Sequence, residues 1–194
     1  MFSTLNECTL HIKFKYMATR TWAIDPSHSE VQFKIKHLMI TSVTGSFNIF
    51  QASVSTEDEN FSSAKISFTA DVNSIDTGNE QRDGHLKSAD FFDAGAYPQI
   101  KFTNAATQSV DNDGSYEMTG DLTIRNITKP VKLSVEFGGV VKDAYGNTKA
   151  GFTINGKINR KDFGLVWSGV TKAGGVILSD EVKIISEIQL IEQA

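Results

Sequence analysis

The sequence predicts an all-β domain of about eight or nine short antiparallel strands with one short helix near residues 79–92. Three observations carry that prediction. Apolar residues recur with period two along most of the chain, turn-forming residues separate the alternating stretches, and a single segment departs from the period in favour of a helix.

The strands are taken in order. "TWAID" from Thr21 is followed by "SEVQFKIKH", in which Val31, Phe33 and Ile35 point one way while Gln32, Lys34 and Lys36 point the other. "TGSFNIFQASV" reads as one further strand and places Phe47. The alternation returns in "AKISFTADV" (Ile66, Phe68, Ala70, Val72), "QIKFTNA" with Phe102, and "YEMTGDLTI". It continues in "PVKLSVEF" (Val131, Leu133, Val135, Phe137), "KAGFTINGKI" (Ala150, Phe152, Ile154, Ile158) and "EVKIISEIQL". The turns "DNDG" (Asp111–Gly114) and "DAYGN" (Asp143–Asn147) supply residues that tolerate positive φ, so sequential strands are expected to pair as antiparallel neighbours. Gly45, Gly120 and Gly164 read as backbone devices at bulges or bends, and Gly174–Gly175 as a flexible connection.

The helical segment is "NEQRDGHLKSADFFDA", Asn79 to Ala94. Thr77 with Glu80 three residues on matches a capping box, Asp83 and Lys87 form an i, i+4 pair, and Leu86, Ala89 and Phe92 share an apolar side. A second irregular stretch, Asn159 to Gly175, joins the last two strands and is long enough to suggest function.

At 194 residues, one domain is the default. With 40% hydrophobic and 22% charged residues, and a net charge of -4, the chain is ordinary for a folded globular protein. Its basic residues are dispersed among more numerous acids, which argues against a phosphate-backbone partner and so against nucleic acid. The only cysteine is Cys8, which excludes an intramolecular disulfide. The first residues lack the basic start, long apolar run and cleavage site of a secretory signal, so a cytoplasmic location is expected, with no membrane span. Residues 1–16 read either as an extension upstream of Met17 or as an edge strand through Leu10, Ile12 and Phe14, leaving 17–194 as the main domain.

About eight alternating antiparallel strands either stack as a solid sandwich or close into a barrel with room inside for a ligand; periodicity alone does not separate these. The chain holds 13 phenylalanines, several at inward positions, and no inward cluster of carboxylates or histidines. A dry interior of that kind suits a hydrocarbon. At about 0.8 kcal/mol per CH₂, a chain of about 15 to 20 carbons supplies more than about 10 kcal/mol before ordering costs.

Five stretches, "WAIDPSHSEVQFKIKH", "VTGSF", "SIDTGNEQRDGHLKSADFFDAGAYPQIKF", "GDLTIRNITKPV" and "RKDFGL", followed by "LSDEVKIISEIQLI", occur in the order of the YceI-like family, which this chain resembles over nearly everything from Thr21 to Glu192. The resemblance implies a single antiparallel lipocalin-like β-barrel of about eight strands. It also implies a long apolar pocket for a polyisoprenoid, quinone-like or fatty-acyl or amide ligand, often in a homodimer; it supplies no catalytic mechanism, and no catalysis and no cofactor are expected. Many members are periplasmic; the absence of a recognisable signal here favours the cytoplasmic reading.

The expected cavity lining is Val31, Phe33, Ile35, Phe47, Ile66, Phe68, Phe92, Phe102, Leu133 and Phe152. The polar residues of the matching motifs are Trp22, Asp25, His28, His37, Arg82, Asp83 and His85. Three readings compete for them. In the first, Arg82, His85, His37, Trp22 and His28 meet a ligand headgroup at the barrel mouth. In the second they are structural: Asp25 caps "DPSHS", Asp83 pairs with Arg82 or Lys87, and the histidines are satisfied at strand ends. In the third, Arg82, Asp83 and His85 form the active site of an enzyme acting on a lipid or small amphiphile, although no G-x-S-x-G or H-E-x-x-H accompanies them. A solid β-sandwich serving as an interaction module is the remaining alternative. His28 and His37 lie an odd nine residues apart, on opposite faces of a regular strand, so no metal site is expected. The sequons at Asn60 and Asn126 carry no weight in a chain expected to stay inside the cell.

Overall fold

A computed structural model describes residues 19–58, 60–110, 114–169 and 177–193. The proposed N-terminal extension, the "DND" of the first turn and Gly174–Gly175 lie outside the described residues.

The strands are β1 (Arg20–Ile24), β2 (Glu30–His37), β3 (Thr41–Phe47), β4 (Phe50–Thr56), β5 (Lys65–Asp71), β6 (Ile75–Asp76), β7 (Gln99–Ser109), β8 (Ser115–Ile124), β9 (Ile127–Lys142), β10 (Thr148–Asn159) and β11 (Leu178–Glu192). The single α-helix, α1, spans Glu80–Lys87. Eight strands run β1-β4-β5-β7-β8-β9-β10-β11, and pairing of β1 with β11 closes them into an antiparallel barrel. The predicted barrel is therefore present, and the solid sandwich is not.

The long strand β11 organises the closure. Its C-terminal end pairs with β1 (Ala23 opposite Ile191), while its first two-thirds pair with β2 (Ile184 opposite Phe33). Between β1 and β2 the chain makes a 3-10 turn, Pro26–His28, capped by the Asp25 side chain accepting from the Ser27 amide. From β2 the sheet continues outward to β3 and β6, so one end of the barrel is wider than the other.

"TGSFNIFQASV" is two strands, not one. A 3-10 turn at Val72–Ser74 supplies the Ser74 carbonyl and hydroxyl to the amides of Asn48 and Ile49, and the Ile49 carbonyl accepts from the Asp71 amide. With those groups taken by a turn, no ladder passes through Asn48–Ile49, and β3 and β4 go to different partners.

Alternation places the core as the sequence indicates. In β8, Tyr116, Met118, Gly120, Leu122 and Ile124 are all buried, and Leu133 and Val135 of β9 lie beside them. Gly120 stands opposite a β-bulge in β7 at Asn104–Ala106, and the Phe102 ring occupies the space a side chain there would need. Gly164 takes a left-handed φ of 74° where it closes the 3-10 turn Arg160–Phe163. The "DAYGN" turn forms as expected, with Asp143 accepting from the amides of Tyr145 and Asn147 and Gly146 at φ 88°.

Candidate ligand-binding cavity

Inward-facing side chains from all eight strands of the closed ring, joined by β2, β3 and the α1 region, surround a cavity of about 460 Å³. That lies within the range of about 300 to 1,000 Å³ usual for small-molecule sites. The wall is apolar almost throughout, and Val31, Phe33, Ile35, Phe47, Ile66, Phe68, Phe92, Phe102, Leu133 and Phe152 all contribute to it.

The narrow end is plugged by aromatic rings. Phe61, held at a left-handed φ of 60°, lies 4.9 Å from the Phe152 ring, 5.1 Å from Trp22 and 5.5 Å from Phe137, and Phe137 stacks on Phe152 at 5.2 Å. The loop carrying Phe61 is pinned by Asp58, whose carboxylate accepts from the Ser62 hydroxyl and the Ser63 amide, and by the Tyr116 hydroxyl donating to the Asn60 carbonyl. Burial pushes the Tyr116 phenol up, helped by the Asp58 charge.

The wide end is covered by α1 and the segment after it. Asn79, not Thr77, is the N-cap, its side chain accepting from the Arg82 amide at 2.9 Å. The expected capping box fails because Thr77 lies before the cap and bonds elsewhere. Its hydroxyl donates to Asp83 at 2.5 Å and accepts from Arg82 Nε at 2.6 Å, while Arg82 Nη2 donates to the Thr77 carbonyl at 2.8 Å. Asp83 therefore serves Thr77 in place of the pairing expected with Arg82 or Lys87, and it also accepts from the Thr77 amide.

The helix ends at Lys87, short of the predicted Phe92, and Ala89 is exposed, outside the apolar side expected for it. Ser88 terminates it by donating its hydroxyl and amide to the His85 carbonyl, after which Asp93 takes a left-handed φ of 52°. This turn sends Phe91 and Phe92 inward in different directions. Phe92 meets Phe47 edge-on at 6.0 Å, while Phe91 is buried against His85 at 5.0 Å and Trp167 at 5.3 Å. His85 also meets Trp167 at 5.1 Å, and its Nε2 lies 3.0 Å from Asp90.

Trp167 is placed by Arg160, a residue that reading for headgroup partners overlooked. The Arg160 side chain is only 2% exposed. Its Nε donates to the Ser179 carbonyl, and its Nη1 donates to the carbonyls of Leu165 and Trp167 at 2.5 and 2.7 Å. Nη2 lies 3.5 Å from the Asp180 carboxylate. Burial pulls the guanidinium pKa down, and Asp180 opposes that shift. Its only trace in the sequence is a lone arginine in "NRKDFGL", beside a turn glycine; its carbonyl partners are invisible without the fold.

Of the five residues expected at a headgroup, the structure brings Arg82, His85 and His37 to the cavity wall. Trp22 and His28 are elsewhere. Trp22 is buried at the narrow end with Val54, Phe61, Ala64, Ala150 and Leu190, because β1 runs beside the C-terminal end of β11. His28 is on the outside, its Nδ1 2.9 Å from Asp25. Asp25 also accepts from Gln189 at 2.8 Å and sits 3.4 Å from Lys149. Burial alone would raise the Asp25 pKa, but the bonds from His28, Gln189, Ser27 and Lys149 outweigh it and hold the carboxyl below its ordinary value.

The closed eight-stranded antiparallel barrel is shared with known proteins. Residues 22–190 match the model of the YceI-like domain. The chain belongs to the YceI-like family. This YceI-like chain is 39% identical over 163 residues to the UPF0312 protein SAS2572 of Staphylococcus aureus, covering 84% of this chain and 92% of that protein. The crystal structure of the Campylobacter jejuni YCEI protein is similar at a TM-score of 0.71 and 38% identity, over 83% of this chain and 91% of that one. A polyisoprenoid binding domain from Saccharophagus degradans shares the fold at a TM-score of 0.62 and 15% identity, over 89% and 98% of the two chains.

Proposed function

We propose that the protein binds one long apolar molecule, an isoprenoid-like, quinone-like or long-chain acyl or amide compound, inside the barrel, and carries or sequesters it without chemistry. The observation that carries this reading is the cavity itself: about 460 Å³ walled by inward phenylalanine, isoleucine, leucine and valine side chains from every strand of the closed ring. An empty apolar space of that size forfeits packing along its whole lining, and a hydrocarbon chain restores it. The binding activity named for the Saccharophagus degradans domain agrees with the reading.

Polar groups are sparse on the wall, and Arg82, His85 and His37 stand with Trp167 towards the wide end. A ligand headgroup placed there would meet Arg82 Nη1 and the imidazoles of His85 and His37, while its chain runs towards Phe61. The hydrogen bonds to Thr77 and the ring contacts of His85 speak against catalysis by the Arg82, Asp83 and His85 group: Arg82 Nε and Nη2 and the Asp83 carboxylate are engaged by Thr77, and His85 is packed between two aromatic rings.

The direct test is mass spectrometry of an organic extract of the purified protein. A single long-chain lipid class in near-stoichiometric amount is expected. Protein that is reproducibly lipid-free, and that takes up no polyprenyl or long-chain acyl probe on titration, overturns the reading.

A further inference from the structure

The loop joining β2 to β3 contains Leu38, Met39 and Ile40, and these side chains are 37, 60 and 82% exposed. A three-residue hairpin loop in water ordinarily holds polar residues and glycine, especially where φ is positive. Here Leu38 and Met39 take left-handed φ values of 51° and 60°. Among the described residues, no packing accounts for three apolar side chains projected at a hairpin tip from a backbone that disfavours two of them.

The tip is continuous with the wide end of the cavity. His37, at its base, lines the cavity, as do Ile177 and Leu178, and the Leu38 amide donates to the Ile177 carbonyl at 2.7 Å. The Ile177 amide in turn reaches the Gly169 carbonyl, two residues from the cavity-lining Trp167. Val166, next to Trp167, is a further exposed apolar residue, at 62%.

The stretch that carries the tip bears full charges of one sign. From Val31 to Thr56 the sequence has no carboxylate, although the whole chain is acidic; its only full charges there are Lys34 and Lys36. On the outer face Lys34 lies directly opposite Lys183, which lies opposite Lys157, a row of exposed lysines across β2, β11 and β10. Glu181 pairs with Lys157 at 3.3 Å, and Asp180 with Lys161 at 2.9 Å and Arg160 at 3.5 Å, so Lys34 and Lys183 are the members of the row without an ion pair among the described residues. Apolar side chains projecting beyond lysines match an anionic lipid surface, hydrocarbon below and phosphate at the level of the ammonium groups.

We propose that the Leu38–Ile40 loop is a docking tip that enters an anionic bilayer and seats the wide end of the cavity against it, so that the apolar ligand passes between bilayer and barrel without crossing water. The inference rests on the apolar-ligand reading for its purpose, but not for its test.

The experiment is co-sedimentation of the full chain with vesicles of phosphatidylcholine alone and of equal parts phosphatidylcholine and phosphatidylglycerol. The expected result is binding to the mixed vesicles, weakened by salt and by Lys34→Glu with Lys36→Glu. Met39→Ser with Ile40→Ser should reduce it at least about tenfold, since loss of two inserted apolar side chains removes most of a small tip's affinity. Tyr145→Ser, an exposed apolar residue at the other end of β11, should leave it unchanged. All variants are checked for an unchanged melting temperature. No binding by the wild type, or binding indifferent to the tip substitutions, overturns the proposal. Tip variants that abolish only self-association in sedimentation velocity do so too, in favour of a second copy as the occupant. Lipid found in the extract without vesicle binding defeats this proposal alone; vesicle binding by a protein shown to hold and take up no lipid defeats the carrier reading alone.

Discussion

Arg82 and Thr77 are joined twice, Nε to the Thr77 hydroxyl at 2.6 Å and Nη2 to the Thr77 carbonyl at 2.8 Å, and Asp83 closes the knot by binding the same hydroxyl and amide. The knot ties the first turn of α1 to the end of β6, fixing the lid to the barrel wall. Thr77→Val removes the shared hydroxyl while keeping the shape, and is expected to cost about 1 to 3 kcal/mol of stability. A double-mutant cycle with Arg82→Ala, read by urea denaturation, should show coupling of about 1 kcal/mol or more; additive effects would mean that the two residues act independently.

His85 separates headgroup recognition from lid packing. His85→Phe keeps a ring between Phe91 and Trp167 but removes both nitrogens. Stability is expected to hold within about 1 kcal/mol, while affinity for a headgroup-bearing ligand falls by about 1 to 2 kcal/mol relative to its headgroup-free analogue. Calorimetric titrations of the two ligands that shift equally would remove His85 from the headgroup site.

Phe68 and Lys65 test the register of β5. Phe68 faces the cavity and Lys65 the solvent. Phe68→Asp should unfold the protein or expel the ligand, because it places an unpaired carboxylate on an apolar wall. Lys65→Asp should stay within about 0.5 kcal/mol of the wild type. The measurement is the melting temperature of each variant, with and without ligand.

Phe61 closes the narrow end. Phe61→Ala should lower stability by about 3 to 5 kcal/mol by opening a cavity between Trp22, Phe137 and Phe152. Relief of the left-handed backbone does not offset this, since alanine is also disfavoured there. Phe61→Leu, which refills part of the volume, should recover a substantial part of the loss in the same denaturation experiment.

Asp25 makes stability depend on acid. Its pKa is held below the ordinary value in the folded chain, so its contribution is fully present above the unfolded pKa of about 3.9 and is lost as pH falls through the folded value. Melting curves from neutral pH downward should therefore show wild type and Asp25→Asn differing by a constant amount until about pH 5, then converging. A difference independent of pH down to about pH 2 would show that the carboxylate charge contributes nothing.

The sequence by itself determined which side of each strand faces inward. A side chain on a strand can occupy only one of two faces, so Val31, Phe33 and Ile35, or Ile66 and Phe68, declare the interior through their spacing alone. It also placed α1 to within a few residues, because "EQRDGHLK" breaks the period-two alternation and carries the Asp83 and Lys87 spacing of a helix. Tertiary structure decided everything that depends on which strands meet. Closure of the ring, and with it a cavity in place of a solid sandwich, follows from β1 finding the far end of β11, a pairing between residues at opposite ends of the described chain. The same distance effect sorted the polar residues. Trp22 and His28 share a motif with His37 in sequence, yet β1 and β2 lie along different parts of β11, which leaves the first two away from the cavity and the third on its wall. Arg160 acquires its role only when carbonyls from Leu165, Trp167 and Ser179 converge on it, since a backbone oxygen carries no sequence signature.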